Sequence, residues 1–294
     1  MNSNVKTYGI LFAGVFALST SAIFVKLAAA PAAVTAFYRL LLTGTILLPF
    51  FLLSSRSRGE CRKLTSAQWR KILFAGLFLA LHYVLWFESL NFTSTASSTV
   101  IVCLQPLFSL ALERFVGKTR VKSTALLGCG IALVGCFVIG CGDFRISGQA
   151  LLGDILAFVA AGVIAGYFFV GQSVRAEISA VTYSVLSYFV SAAILLVYIL
   201  LRRDPLLGYP AGTWYAFVGL ALISTIGGQF VFNLLLKNLS ASAVTMGILG
   251  EPIGTCILAA FVLGEKMTLQ QLLGAAVIMA GMAVFFLPRR IPTM

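Results

Sequence analysis

The chain has 294 residues, of which 60% are hydrophobic and only 10% charged, and its formal net charge is +12. Soluble domains carry about a quarter charged residues, so no aqueous fold of this length could bury so much apolar surface. A soluble enzyme or binding module is excluded. The basic residues are confined almost entirely to short loops, which excludes a nucleic-acid surface as well.

Ten apolar segments are predicted, at 8–29, 31–53, 69–90, 94–115, 123–141, 151–173, 180–201, 214–236, 242–263 and 269–287. Each is near the roughly 20 residues that a bilayer core requires. The first imitates a secretory signal, with Lys6, an apolar run and the small-residue stretch from Ala28 to Ala33. The second follows with almost no linker, so the first is expected to be retained. Arg39 lies within the second segment, where an ionisable group is costly and by default faces a partner or an aqueous cavity. It could hold a substrate carboxylate, pair with an acid elsewhere in the chain, or snorkel to an interface. A polar loop at 54–68 is the longest connection.

The third segment carries His82, Tyr83, Trp86 and Glu88 before Asn91. His82 and Trp86 are four apart and share a helix face, with Tyr83 beside it. That face could stack on an organic solute, belong to an interfacial aromatic belt, or simply pack. The fourth segment contains Gln105-Pro106. Behind it, Gly117-Lys118-Thr119 imitates the end of a phosphate loop, but Leu112 stands where the first glycine belongs, so no ATP site is predicted. In the fifth, Gly128, Ala132, Cys136 and Gly140 form a small-residue stripe, echoed by Ala276 and Ala280 in the tenth. Such stripes serve internal packing or a dimer seam.

The junction at 141–149 separates the two halves. Tyr167 and Gln172 in the sixth segment, and Gln229 and Asn233 in the eighth, extend a candidate polar lining. The ninth segment carries Glu251-Pro252. Proline has no N–H and interrupts the helical bonding, so Pro106 and Pro252 are predicted helix breaks. A carboxyl beside such a break could bind an ammonium group, exchange a proton, or lock two helices together through a hydrogen bond.

Residues 101–137 recur at 247–283 with a constant offset of 146. Gln105-Pro106 returns as Glu251-Pro252, Leu126-Leu127-Gly128 as Leu272-Leu273-Gly274, and Gly135 as Gly281. Five helices per half is an odd number, so the second half is predicted to enter the membrane in the opposite sense. The expected fold is therefore an all-α integral membrane protein. Ten transmembrane helices form two inverted five-helix repeats around a central cavity. With both termini cytoplasmic, 15 basic residues lie inside and five outside, as the positive-inside rule requires. The cytoplasmic basic loops would then meet anionic lipid. The six cysteines show no C-x-x-C and His82 is the only histidine, so neither a metal site nor a cofactor is expected.

These elements, with Gln105-Pro106-Leu107-Phe108 in one half and Gly250-Glu251-Pro252 and Leu263-Gly264-Glu265 in the other, resemble the drug/metabolite transporter superfamily. More specifically, the chain resembles two EamA-type domains, at 1–145 and 146–294. The resemblance implies a multi-pass carrier of the inner (cytoplasmic) membrane, often an exporter, with the fifth and tenth helices peripheral. It also exposes departures. The first repeat has Gly117-Lys118-Thr119 where the other has an acid after Leu-Gly, and Gln105 where the other has Glu251. The halves are electrically unequal, which disfavours a symmetric two-acid coupling scheme.

The expected function is alternating-access transport, with export, of small organic metabolites such as amino acids, amines or drugs, and proton exchange as a candidate coupling. Glu251 and Arg39 are the leading site residues, followed by His82, Tyr83, Trp86, Gln105, Gln229 and Asn233. A passive channel and a membrane-embedded lipid-modifying enzyme are the alternatives. The acids are too scattered for the latter, so the chain is not expected to be an enzyme. Either a monomer or a homodimer fits these features.

Overall fold

The computed structural model describes residues 3–93, 95–140, 148–263 and 268–286. Arg145, Glu265, Lys266, Arg289 and Arg290, used above in the charge and family readings, lie outside the described residues. The described chain is helical throughout and contains no strand. Helices α1 (Ser3–Ser19), α2 (Ser21–Leu27), α3 (Ala32–Leu53), α4 (Ser55–Arg62) and α5 (Ser66–Phe92) come first. They are followed by α6 (Thr95–Val102), α7 (Gln105–Phe115) and α8 (Ser123–Gly140). The second half has α9 (Gly148–Arg175), α10 (Ala180–Arg202), α11 (Ala211–Gly219), a π-helical segment (Leu220–Phe230) and α12 (Val231–Leu235). It ends with α13 (Ala241–Ile248), α14 (Glu251–Leu263) and α15 (Leu269–Phe286).

Eight helical stretches are long and apolar enough to cross a bilayer. They fall on eight of the ten predicted segments. Of the other two, 123–141 forms a shorter apolar helix, Ser123–Ile139, and 94–115 is divided between α6 and α7. Many large side chains on the outer faces are exposed, among them Phe50, Leu53, Phe137, Leu201 and Phe261. In lipid that exposure carries no cost.

Helix ends follow local chemistry. The side-chain oxygens of Ser54, Thr65, Ser179 and Ser240 each accept a backbone N–H three residues on, at 3.2 Å, and start α4, α5, α10 and α13. Arg203, with φ +57°, closes α10 in the left-handed region. Both proline-marked segments are interrupted just ahead of the Gln105-Pro106 and Glu251-Pro252 pairs, which open the next helix. Between α6 and α7 the Leu104 N–H bonds Ile101 at 3.0 Å, and between α13 and α14 the Gly250 N–H bonds Gly247 at 3.0 Å. These tight i to i−3 turns stand at equivalent places: α6 and α13 stop, and α7 and α14 restart, 146 residues apart.

Other departures from uniform helices were not predicted. The first segment turns at Thr20, the eighth widens into the π segment, and the 54–68 loop folds into α4.

The fifth-segment stripe packs internally, against the tenth segment. A Cβ on Gly128 would lie 2.6 Å from the Gly281 carbonyl, and one on Gly135 would lie 2.7 Å from the Gly274 carbonyl. Numbers rise along α8 as they fall along α15, so the two helices run antiparallel. At the 146-residue offset, Gly128 corresponds to Gly274 and Gly135 to Gly281. Each contact therefore joins one glycine to the counterpart of the other. Ala276 and Ala280, the expected face of the tenth segment, are instead exposed, and Gly274, Ile278 and Gly281 take their place.

Elsewhere α3 packs on α10 and α5, α5 on α9, and α1 on the π segment and α14. These contacts bring the second, third and eighth predicted segments around Arg39.

Candidate functional site

Three consecutive hydroxyl residues, Ser19, Thr20 and Ser21, form the turn between α1 and α2. Each reaches a different element. Ser19 Oγ donates to the Glu251 carbonyl at 3.1 Å, Thr20 Oγ1 meets Ser224 Oγ at 2.9 Å, and Ser21 Oγ accepts from Arg39 Nη1 at 2.7 Å. The turn thus links the start of α14, the π segment and α3.

Arg39 is only 1% exposed. Its Nε donates to Thr225 Oγ1 at 2.7 Å, and its guanidinium carbon lies 5.1 Å from the centre of the Tyr83 ring. Thr225 Oγ1 itself donates to the Leu220 carbonyl five residues back, at 2.8 Å, as the wide helix allows. Arg39 Nη2 has no hydrogen-bond partner among the described residues. Buried polar groups are satisfied in the great majority of cases, so an orphaned guanidinium nitrogen is an exception to be explained.

Glu251 opens α14 and is partly exposed. Among the described residues no side chain donates to its carboxylate. It does not pair with Arg39: the ion pairs found there are Arg56–Glu60 and Arg202–Glu88. Arg39 nevertheless acts on Glu251 electrostatically, without a direct bond. Snorkelling of Arg39 is removed, because the guanidinium is buried against α5 and the π segment.

The remaining candidates separate cleanly. Tyr83 is buried beneath Arg39, not at an interface. His82 Nδ1 lies 3.1 Å from the Ala160 carbonyl and its ring stacks on Trp86 at 5.8 Å, so it is a packed, partnered group. Trp86 Nε1, like Arg39 Nη2, is a buried donor without a partner among the described residues, whereas the buried Gln229 side chain lies against the Tyr167 hydroxyl. Asn233 Nδ2 donates to Tyr167 Oη at 2.8 Å and Ser184 Oγ at 2.9 Å, which closes a network within the second half. Gln172, expected in the lining, instead accepts the Ala241 N–H at 2.9 Å and caps α13. Gln105 and Pro106 are buried at the break before α7.

Tyr83 and Gln229 occupy equivalent positions at the 146-residue offset, as do Gln105 and Glu251, and Ser21 and Tyr167. The polar residues of the two halves therefore sit at matched places with different chemistry. The charges do not match at all, since Val185 is the counterpart of Arg39.

One end of the bundle is latched by carboxylates of the first half. Glu60 on α4 accepts the Ser179 N–H at 2.9 Å and the Thr182 hydroxyl at 2.7 Å, at the start of α10. Glu113 on α7 accepts the N–H and the hydroxyl of Ser242, both at 2.8 Å, at the start of α13. Carboxylates at helix N-termini are favourable for the unpaired N–H groups and the dipole.

Burial alone would raise the Glu60 carboxyl, but the Ser179 N–H, the Thr182 hydroxyl and Arg56 hold it below its ordinary 4.5. A depressed folded-state value stabilises above the unfolded value, and the stabilisation is lost as pH falls through the folded one. Thermal unfolding at a series of pH values should show a decline below about pH 5 that is blunted in Glu60→Gln. The variant should also melt lower at neutral pH. An unaltered acid limb in the variant would refute the assignment.

Comparison with known proteins agrees with this geometry. The sequence matches the EamA-like transporter family twice, over residues 5–141 and 151–287, again 146 residues apart. It is 27% identical over 291 residues to "Uncharacterized transporter YwfM" of Bacillus subtilis, covering 97% of this chain and 94% of that protein. It is 23% identical over 215 residues to an "Uncharacterized transporter" of Archaeoglobus fulgidus, covering 73% and 76%. A solved crystal structure superposes with a TM-score of 0.79 at 16% identity, covering 96% of both chains, which speaks to the fold alone. This chain belongs to the EamA-like transporter family and is a multi-pass membrane transporter.

Proposed function

We propose that this protein is a secondary-active, alternating-access carrier that exports small organic solutes from the cytoplasm and exchanges a proton at Glu251. In this reading ten crossings form two inverted five-helix repeats, 1–145 and 146–294, with α6–α7 and α8 supplying the fourth and fifth. Both termini and the basic loops face the cytoplasm and its anionic lipid. The observation that carries it is the pair of helices broken at equivalent places, one ahead of Gln105 and the other ahead of an unpaired Glu251. Discontinuous helices in matched positions of two halves are where transporters hold solute and coupling ion. The reciprocal Gly128–Gly281 and Gly135–Gly274 contacts between antiparallel helices support the inversion, because such exchange of partners is the signature of a two-fold relation.

Counterflow in proteoliposomes tests the carrier. Vesicles preloaded with one member of a panel of amino acids, amines and nucleosides should transiently accumulate the labelled form of that solute, and uptake should saturate. Flux that rises linearly with concentration and shows no stimulation from the far side would identify a channel instead. Chemical conversion of a lipid by the purified protein would support the enzymatic alternative.

A further inference from the structure

Helix α4 has two faces of opposite character. Ser57 and Glu60, three apart, share the inner one. Ser57 is buried, and both carboxylate oxygens of Glu60 are engaged, one by Arg56 at 2.9 Å and the other at the start of α10. Arg58 and Arg62, four apart, share the outer face and are exposed. A Cβ on Gly59, which lies between them, would meet nothing within 4 Å. Lys63 and Arg70 are exposed as well. Among the described residues none of these four basic groups makes an ion pair or a side-chain hydrogen bond. Glu60 is the sole acid between residues 54 and 71, and it is already spent. The level of this basic face follows from its neighbours. Leu53, at the end of α3, is 83% exposed, and Trp69 is exposed in the first turn of α5. Large apolar side chains open on either side of α4 mark the edge of the hydrocarbon, where tryptophan gathers. The equivalent loop of the second half lacks the basic face and the latch together. At the 146-residue offset Arg58 becomes Asp204, Arg62 becomes Gly208 and Glu60 becomes Leu206, and residues 203–210 form no helix.

We infer that the outer face of α4 binds the headgroup of an anionic phospholipid, and that the bound lipid holds Glu60 on the start of α10. The phosphodiester would accept from the Arg58 and Arg62 guanidinium groups, whose planar donors suit phosphate, while the acyl chains lie beside Leu53 and Trp69. Clusters of basic residues just beyond a membrane helix attract anionic lipid, and this cluster stands on a helix whose other face carries a latch. Glu60 belongs to the first half, whereas Ser179 and Thr182 belong to the second. A lipid that pins α4 therefore strengthens a junction between the halves. A free anion offers the charge but has no chain for the apolar edge.

Lipid binding at α4 goes beyond the carrier reading, and it is measured without flux, so each can fail while the other stands. The detergent-purified full chain would be titrated with phosphatidylglycerol, phosphatidylcholine or inorganic phosphate. The readouts are the melting temperature and the lipid retained in native mass spectrometry. Phosphatidylglycerol should raise the melting temperature more than phosphatidylcholine at equal concentration and should be retained in preference to it, and inorganic phosphate should have no effect. Each basic residue near an anionic lipid strengthens attachment roughly fivefold, so Arg58→Gln/Arg62→Gln should weaken phosphatidylglycerol binding about tenfold or more. Both side chains are exposed and unpaired, so the double variant should fold. Lys118→Gln/Lys122→Gln removes the same charge from the other basic loop and should leave binding within about twofold of wild type. In Glu60→Gln the lipid should still be retained, but the rise in melting temperature should fall to about half or less. Equal effects of the two lipids, a matching effect of inorganic phosphate, or equal losses in the two double variants would overturn the site. An undiminished rise in Glu60→Gln would overturn its link to the latch.

Discussion

Replacing Glu251 with Gln should abolish pH-driven accumulation while leaving solute exchange measurable. Glutamine keeps the shape of the side chain and its capacity to accept a hydrogen bond, but it cannot take up or release a proton. A pH difference of about two units is worth about 2.7 kcal/mol for each proton exchanged, which supports roughly a hundredfold solute gradient at one proton per solute. In Glu251→Gln that gradient should collapse toward unity. Counterflow, which needs no external gradient, should persist at a reduced rate. The measurement is accumulation in proteoliposomes with and without an imposed pH difference, wild type beside variant. Gradient-driven accumulation that survives the substitution would show that the coupling proton, if there is one, binds elsewhere.

The contrast between Glu251 and Arg39 explains why this substitution is informative. A buried acid bonded to a buried arginine would be a structural pair, and removing one partner would leave the other stranded at a cost of several kcal/mol. Here Arg39 is held by Ser21 and Thr225 instead, and Glu251 touches neither. The hydrogen bonds that hold Arg39 therefore do not pass through the acid, although its charge acts on it. The two charges lie on opposite halves, near enough to feel each other but without a direct ion pair.

Much of this arrangement is legible in the sequence because some residues have only one affordable use in lipid. Arg39 and Glu251 stand out as ionisable groups in apolar runs, and Pro106 and Pro252 mark breaks because proline cannot donate to a helix. The Ser19-Thr20-Ser21 turn is not legible in the same way. Serine and threonine in membrane helices commonly bond a carbonyl of the preceding turn, as Ser19 does with Val15 at 2.9 Å, so a hydroxyl triplet carries no obvious message. Its one available signal is the matching Ser224-Thr225 pair in the eighth segment, which faces it across the bundle. Gln229 and Asn233 sit in a local geometry that the sequence does not show. They are four apart, and between them the π segment ends at Phe230 and α12 begins immediately after it. Both amides meet Tyr167, and Asn233 goes on to close a network with Ser184. His82 draws attention as the lone histidine, yet a carbonyl from α9 already occupies its Nδ1.

The second large effect is expected at the α8–α15 seam. Substituting Gly281 with Leu should prevent recovery of folded protein. A Cβ there would meet the backbone nitrogen of Ala132 and lie 2.6 Å from the Gly128 carbonyl. Both obstacles are main chain, so no rotamer change relieves the overlap, and the helices must separate along the seam. Between membrane helices there is no hydrophobic force to compensate lost contact, because lipid solvates the separated faces as well as the partner helix does. Overpacking typically costs 1–3 kcal/mol even where side chains can yield, and a backbone clash leaves less room for relief. Gly135→Leu should behave alike, since its Cβ would lie 2.7 Å from both the Gly274 carbonyl and the Ile278 nitrogen. Gly130 supplies the control: it sits on the same helix, with nothing within 4 Å of its Cβ position. Gly130→Leu should fold and melt near wild type, with any change arising from helix propensity alone, where Leu is favoured over Gly. Size-exclusion profiles and melting curves of the three variants in one detergent separate the cases. If Gly281→Leu and Gly130→Leu proved equally well folded, the close approach of α8 and α15 would be wrong, and with it the reciprocal contact that supports the inverted repeat.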